Sequence, residues 1–213
     1  MQGSSRDRPS IRDNYFIFGY KWRLMQRDRI ETVYFSNRKG WRNWLSENFD
    51  KKDEIWLIIP KISSGEQKIP YNDTVEQALC FGWIDSIQRP YDKYHTIQRF
   101  SPRIERSNWS QTNIERLKLL DQKGLLHPTV RASVKEIIQR EFVFPSDILV
   151  ELKKDPTVWK NYQAFSEPYK RIRIGYIDGS RDRPEEFEKR LKNFIEKTRQ
   201  NKMFGYGGID KYY

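Results

Sequence analysis

The chain has 213 residues and a mass of 25.9 kDa, with 37% apolar and 15% aromatic residues. This share of bulky rings suffices for a packed core and argues against a disordered chain, and the single cysteine, Cys80, excludes a disulfide scaffold. The net charge of +11 is spread along the chain, so a solvated, mildly basic surface is a plainer interpretation than a nucleic-acid site.

The first 28 residues are predicted to be a leader that is either flexible or wrongly included in the coding sequence. They are polar and aperiodic apart from one apolar island at 15–18, and Met25 precedes the first patterned segment. No basic-then-apolar signal peptide opens the chain, and the longest apolar run, residues 55–59, is far shorter than a membrane span. We therefore expect a cytoplasmic protein without membrane insertion.

Residues 29–144 are predicted to form an α+β domain with a small, mostly antiparallel sheet of three to five strands. Runs rich in β-branched and aromatic residues predict strands at 31–35, 54–60, 83–88 and 95–101. Apolar positions at helical spacing predict helices over 37–49 and 72–82, which we expect to pack on this sheet.

Capping residues are expected at both of these helices. Ser36 is the predicted cap of the first helix. Asp73 and Glu76 form a capping-box pattern at the start of the second helix, and Gly82 is expected to end it.

From residue 107 onward the apolar pattern is helical. One predicted helix ends at Gly124 and Pro128 opens the next. Residues 145–202 are predicted to form a C-terminal helical region of three or four short helices, the first capped by Ser146 and the others opened by Pro156, Pro168 and Pro184. Residues 203–213 are broken by glycines and are predicted to be a flexible tail.

No strong chemical motif is present, and we expect neither a cofactor nor a bound metal. Two histidines and one cysteine cannot build a usual zinc site. Cys80 lies in an apolar helical stretch, which is more typical of a core thiol than of a nucleophile. His95 lies at a strand edge, and a general base there would need a partner that the sequence does not identify.

Residues 71–113 combine aromatic rings, arginines and carboxylates at unusual density. Arg99, Arg103 and Arg106 are spaced so that their guanidinium groups could converge, and such forks suit a carboxylate or phosphate ligand. Trp83 and Trp109 could supply apolar walls. An equally weighted interpretation is that the rings are core and the arginines pair with carboxylates of the same stretch, namely Glu76, Asp85 or Asp92.

The same stretch carries a recognisable signature. It resembles the YdeI/OmpD-associated protein family, whose members are also described as bacteriocin-protection proteins, through Tyr71, Glu76, 78–86, 99–103, 107–110 and Asn113. The resemblance covers about residues 30–200 and includes the C-terminal helices. The chain departs from the family where Arg-Pro-Glu is usually followed by Thr-Arg, since here it is followed by Glu186 and Phe187.

The resemblance implies a bacterial, cytoplasmic protein in a stress response that confers resistance to bacteriocins and antimicrobial peptides. It supplies no catalytic residues. The first hypothesis is a non-enzymatic binding module whose partner is a small anionic ligand or another protein. The conjectured ligand site contains Tyr71, Glu76, Trp83, Asp85, Arg99, Arg103, Trp109 and Asn113.

The second hypothesis is an enzyme that acts on a small anionic substrate. Arg99 and Arg103 would hold the anion, and Asp85 or Glu76 would act as the acid or base. Single-stranded nucleic acid is a third and weaker possibility, because stacked rings beside arginines also suit bases.

Strand alternation gives this site a geometric expectation. Trp83 and Asp85 share one face of their strand, and the following strand is expected to pair with it in antiparallel fashion. We therefore predict that Asp85 lies within about 4 Å of Arg99 or Arg103, with Trp83 or Trp109 beside the pair.

Overall fold

The computed structural model describes residues 30–104 and 108–205. The predicted leader, including Met25 and the apolar island at 15–18, lies outside the described residues, as do Arg106 and residues 206–213. Two cores follow one another along the described chain, the first around a sheet and the second among helices.

The sheet has four strands in the order β1-β2-β4-β3 within the described residues. They are β1 (Thr32–Val33), β2 (Ile55–Pro60), β3 (Trp83–Pro90) and β4 (His95–Pro102). The β2–β4 and β3–β4 pairs are antiparallel, which confirms the predicted α+β class with a mostly antiparallel sheet. The short β1 pairs with β2 in parallel fashion, because a helix crosses over between them, so the sheet is mixed.

Two helices pack on this sheet, α1 (Arg38–Asn48) and α2 (Tyr71–Cys80). A 3₁₀ turn at Ile62–Ser64 lies between β2 and α2. Burial of Ile55 and Leu57 of β2 together with Phe100 of β4 closes the first core beneath these helices.

The helix caps differ from those predicted. Asn37, not Ser36, caps α1, because its Oδ1 accepts a hydrogen bond from the Gly40 N–H at 3.0 Å. The predicted capping box at α2 is wrong. The helix begins after Pro70, so Asp73 already lies in its first turn and faces Arg38 of α1 at 3.5 Å.

The end of α2 is as predicted. Gly82 has a φ of +73°, which a residue with a side chain rarely adopts, and it turns the chain from α2 into β3. A Cβ at this position would also lie 3.3 Å from a methyl group of Val130.

Six further helices follow the sheet in the described residues. They are α3 (Gln111–Gln122), α4 (Pro128–Gln139), α5 (Ser146–Lys153), α6 (Pro156–Ala164), α7 (Glu167–Asp178) and α8 (Pro184–Arg199). The first two complete the sheet-centred core, and the last four build the second core. Pro128, Pro156 and Pro184 each open a helix as predicted, whereas Pro145 rather than Ser146 takes the cap position of α5.

The chain after α8 returns to the second core at Phe204. Its N–H donates to the hydroxyl of Tyr169 at 3.1 Å, and its ring centroid lies 6.4 Å from that of Phe194. This docking brings residue 204 to one side of α7 and α8.

The two cores meet where α3 packs against α7. Arg171 of α7 donates two hydrogen bonds to the carboxylate of Glu115 on α3, at 2.8 and 2.9 Å. Gly175 permits this close approach, because a Cβ there would lie 2.7 Å from the Cβ of Gln111.

Candidate functional site

The first turn of α2 faces β3 through a hydrogen bond between two predicted site residues. The hydroxyl of Tyr71 donates to Oδ2 of Asp85 at 2.5 Å. Tyr71 is 53% exposed, so this contact lies at the surface of the domain. Partial burial raises the pKa of the Tyr71 hydroxyl, as do the hydrogen bond to Asp85 and its charge, so the phenol remains a donor.

Arg116 of α3 lies behind this pair and is only 7% exposed. Its Nη1 donates to Oδ1 of Asn113 at 2.7 Å, and its Nη2 donates to Oδ1 of Asn72 at 2.5 Å. Its Nε is buried without a hydrogen-bond partner, and none of the ion pairs among residues 30–104 and 108–205 includes Arg116. A buried guanidinium is therefore held in place by two neutral amides.

Arg103 and Trp109 form the next part of the same surface. The guanidinium carbon of Arg103 lies 3.7 Å from the centroid of the Trp109 ring, and its Nη2 donates to the carbonyl of Asn108 at 2.7 Å. The backbone N–H of Arg103 is fixed by the carbonyl of Gly82 at 2.9 Å. Burial lowers the pKa of Arg103, which indicates a partly desolvated cation stacked on a ring.

Helix α3 joins these groups into one set, which we call the α2–α3 cluster. Ser110 caps the helix, so Trp109 just precedes its first turn and Asn113 lies within that turn. The cluster consists of Tyr71, Asn72, Asp85, Arg103, Trp109, Asn113 and Arg116. It presents two cations and an aromatic face beside a single carboxylate.

Three predicted site residues lie elsewhere. Trp83 is buried in the first core, and its Nε1 donates to the carbonyl of Phe49 at 2.9 Å. Glu76 is also buried and faces Arg38 of α1 at 3.4 Å. Arg99 forms an ion pair with Glu54, with its Nε 2.7 Å from Oε2 of that carboxylate.

The predicted ion pair of Asp85 with an arginine is wrong. Asp85 lies directly opposite Phe100 in the β3–β4 register, so it shares the helix-packed face of the sheet with that core ring. Arg99 precedes Phe100 and therefore points to the other face, where it meets Glu54. The expected tryptophan does lie beside Arg103, and it is Trp109.

Sequence reasoning missed Asn72 and Arg116. Arg116 follows Asn113 by three residues on a predicted helix, a spacing that places both side chains on one face. That signal was available in the sequence. The partnership of Arg116 with Asn72 depends on the packing of α3 against α2, which no local pattern indicates.

The position of Cys80 agrees with its interpretation as a core thiol. Cys80 is buried in the first core, and burial raises the pKa of its thiol. Among the residues that the structure describes, no group of three potential ligands could hold a metal ion. None of the helices in the same residues is both long and apolar enough to cross a membrane.

His95 has the partners that the sequence could not identify. Its Nδ1 lies 2.8 Å from Oδ1 of Asp92, and its Nε2 lies 2.8 Å from Oε1 of Glu66. Both ring nitrogens must donate for both contacts to form, which requires the charged imidazolium. The two carboxylates accordingly raise the pKa of His95, first Asp92 and then Glu66.

We expect this bridge to make stability fall as the solution becomes more alkaline. The folded-state pKa of His95 lies above its ordinary value of 6.5. The stabilisation is therefore complete below about pH 6.5 and is lost as the pH rises through the folded pKa. Urea unfolding between pH 5.5 and 8.5 should show a His95→Gln deficit that shrinks with increasing pH. Glu66→Gln should show a weaker trend, and a deficit of His95→Gln that stays constant would contradict the assignment.

Comparison with known proteins divides the chain near the boundary between its two cores. Residues 33–133 match the model of a domain of unknown function, DUF8412. Residues 141–201 match the family described as bacteriocin-protection, YdeI or OmpD-associated. No curated protein and no solved structure matches the chain.

The family match is narrower than the resemblance, which was expected to cover about residues 30–200. The signature residues of the α2–α3 cluster lie in the first matched segment, whereas the family match covers α5 to α8. The departure at Glu186 and Phe187 has a structural use, since Glu186 bonds to Arg190 at 2.8 Å and the Phe187 ring lies under Arg181. Residues 141–201 are thus similar to the family described as bacteriocin-protection, YdeI or OmpD-associated.

Proposed function

We propose that this protein is a non-enzymatic binding module that recognises a small anionic ligand at the α2–α3 cluster. In this proposal the protein acts in the cytoplasm of a bacterium and contributes to resistance against bacteriocins or antimicrobial peptides. The observation that carries the ligand class is Arg116, a buried guanidinium that has no carboxylate partner among residues 30–104 and 108–205.

Burial of a cation without a counter-ion is costly, because the protein interior solvates charge poorly. Other arginines in the described chain meet carboxylates directly, as Arg171 meets Glu115. Arg116 instead meets the amide oxygens of Asn72 and Asn113, which orient the guanidinium but do not neutralise it. An anionic ligand would supply the missing charge.

The rest of the cluster suits such a ligand. Arg103 adds a second cation, and the Trp109 ring beneath it adds a flat apolar face. Asp85 is bonded to Tyr71, so its charge is directed at the phenol and not into an ion pair with an arginine. Two cations beside an aromatic wall favour an anion that has a flat or apolar part.

The resistance role is tested by survival of a peptide-sensitive bacterium that produces the chain. We expect the unmodified chain to raise survival under a cationic antimicrobial peptide, and Arg103→Ala to abolish that gain while leaving thermal unfolding unchanged. Arg140→Ala is the matched control, because Arg140 is exposed at the end of α4, away from the cluster, and should retain full protection. Equal protection by both variants would refute a role for the cluster.

Ligand binding is tested by native mass spectrometry of the protein purified from its bacterial host. We expect a small anion to accompany the unmodified protein and to be absent from Arg116→Gln. The stability of Arg116→Gln should change by no more than about 1 kcal/mol, because removing an uncompensated charge offsets the loss of its hydrogen bonds. A large loss of stability without any bound anion would show that Arg116 has a structural role only.

One observation favours the enzyme alternative. The hydroxyl of Tyr71 bonded to Asp85 at the surface could move a proton to or from an anionic substrate held by Arg103. Tyr71→Phe separates the two functions. It should leave ligand binding and protection intact in a binding module, and it should abolish turnover of the co-purified ligand in an enzyme.

A further inference from the structure

A pocket lies in the helical half of the protein, between α7, α8 and the segment that follows α8. Its volume is about 380 Å³, within the range of small-molecule sites. The residues that matter for its chemistry are Arg173, Tyr176, Glu186, Lys189, Arg190 and Phe204. None of them belongs to the α2–α3 cluster.

The guanidinium group of Arg190 is held in this pocket by an aromatic ring and two hydrogen bonds. Its guanidinium carbon lies 3.8 Å from the centroid of the Tyr176 ring, so the cation is stacked on an aromatic face. Its Nε donates to Oε1 of Glu186 at 2.8 Å, and its Nη1 donates to the carbonyl of Tyr176 at 2.7 Å. These two hydrogen bonds fix the plane of the guanidinium group. The Nη2 of Arg190 makes no hydrogen bond within the described chain.

Arg173 adds a second, buried cation. Its guanidinium carbon lies 5.2 Å from the ring centroid of Phe204, 5.7 Å from that of Tyr169 and 6.0 Å from that of Tyr176. Arg190 and the exposed Lys189 at the rim share the carboxylate of Glu186, at 2.8 and 3.9 Å, so these three lining residues carry a net positive charge. The electrostatic preference of the pocket is therefore for an anion.

The apolar walls of the pocket add a second requirement for the ligand. Tyr176 and Phe204 line the pocket together with Ile177 and Phe194, so the cations are set against aromatic and aliphatic walls. A bare hydrated anion would leave these walls without a partner, whereas an aromatic ring would bury them. Arginine forks accept carboxylate or phosphate oxygens in the same planar geometry.

We propose that this pocket binds a small aromatic oxyanion, a carboxylate or phosphate attached to a single ring. Arg190 receives the oxyanion through its Nη2, Lys189 adds charge at the rim, and Phe204 covers the ring. The site is separate from the α2–α3 cluster, and its existence does not depend on the function proposed there.

The test is isothermal titration calorimetry of the full chain with four probes: benzoate, phenylphosphate, inorganic phosphate and benzyl alcohol. We expect at least one aromatic anion to bind with a Kd below about 1 mM. Inorganic phosphate and benzyl alcohol should each bind at least about tenfold more weakly, because each lacks one of the two recognised features. The tighter of benzoate and phenylphosphate identifies the oxyanion.

Single substitutions in and near the pocket test whether the aromatic anion binds there. Arg190→Gln should weaken the tighter aromatic anion by at least about tenfold, and Lys189→Gln should weaken it measurably without affecting the fold, since Lys189 is exposed. Lys192→Gln is the matched control, because Lys192 lies on the same helix outside this pocket. Arg116→Gln should leave the affinity unchanged, which separates this site from the α2–α3 cluster.

Several outcomes would overturn the proposal. They are no heat from either aromatic anion at about 10 mM, equal affinity for benzyl alcohol, and equal affinity for inorganic phosphate and phenylphosphate. An equal response of Lys189→Gln and Lys192→Gln would place the bound anion elsewhere. If Arg190→Gln fails to fold, the comparison between these two lysine variants decides the question.

Discussion

Trp83→Ala should lower the free energy of unfolding by about 3–5 kcal/mol, the range for deleting a fully buried large ring. Trp83 is 1% exposed, and its ring meets that of Trp44 edge-on at a centroid distance of 6.0 Å. Its Nε1 also satisfies the carbonyl of Phe49, which would lose its partner. Urea unfolding followed by circular dichroism measures the loss.

Trp83→Phe is the informative companion. It retains an aromatic ring but gives up the hydrogen bond to Phe49, so its cost should be about 1–3 kcal/mol. Trp109→Ala tests the other predicted wall, which lies under Arg103 at the surface, and it should impair ligand binding more than stability. If Trp83→Phe abolishes ligand binding without changing stability, Trp83 contacts the ligand and its role is not only structural.

The contrast between Trp83 and Trp109 shows what the sequence could and could not predict. Strand and helix positions follow from local periodicity, so β2 and α8 begin within a residue of where the apolar pattern places them. Both tryptophans are bulky rings within the same aromatic and arginine-rich stretch, residues 71–113. Only the packing of α1 on the sheet decides that Trp83 is enclosed.

Strand register explains the failed ion pair of Asp85. Antiparallel pairing of β3 with β4 was predicted from a short connecting loop and is confirmed. Which residue of β4 lies opposite Asp85 depends on the turn and on an irregularity between Asp85 and Gln88. A shift of one residue exchanges the faces, and the observed register gives Asp85 the core ring of Phe100 in place of Arg99.

Contacts between distant helices were beyond local patterns altogether. The pairing of Asn72 with Arg116 spans 44 positions, and that of Glu115 with Arg171 spans 56. Each pair exists because α3 packs between α2 on one side and α7 on the other. Helix α3 is therefore the element through which the α2–α3 cluster of the first half is fixed to the second half.

The Glu115–Arg171 ion pair stabilises the contact between α3 and α7. Glu115 is 5% exposed, and burial on its own would raise the pKa of its carboxyl. Hydrogen bonds from Arg171 and Gln111 outweigh that effect and hold the pKa below its usual 4.5. The stabilisation is thus present above about pH 4.5 and is lost as the pH falls through the lower folded-state pKa.

Glu115→Ala should therefore cost about 3 kcal/mol, the lower end of the range for breaking a buried ion pair, because Arg171 keeps some solvent contact. Glu136→Ala, an exposed carboxylate on α4, is the control and should change stability by less than about 0.5 kcal/mol.

A double-mutant cycle with Arg171→Met separates the pair from the packing around it. The double variant should recover much of the loss, because it leaves no stranded charge at the α3–α7 contact. If the two halves are coupled through this contact, unfolding of the unmodified chain is a single transition and Glu115→Ala splits it into two. A single, unshifted transition in Glu115→Ala would mean that the apolar packing around Gly175 alone holds the halves together.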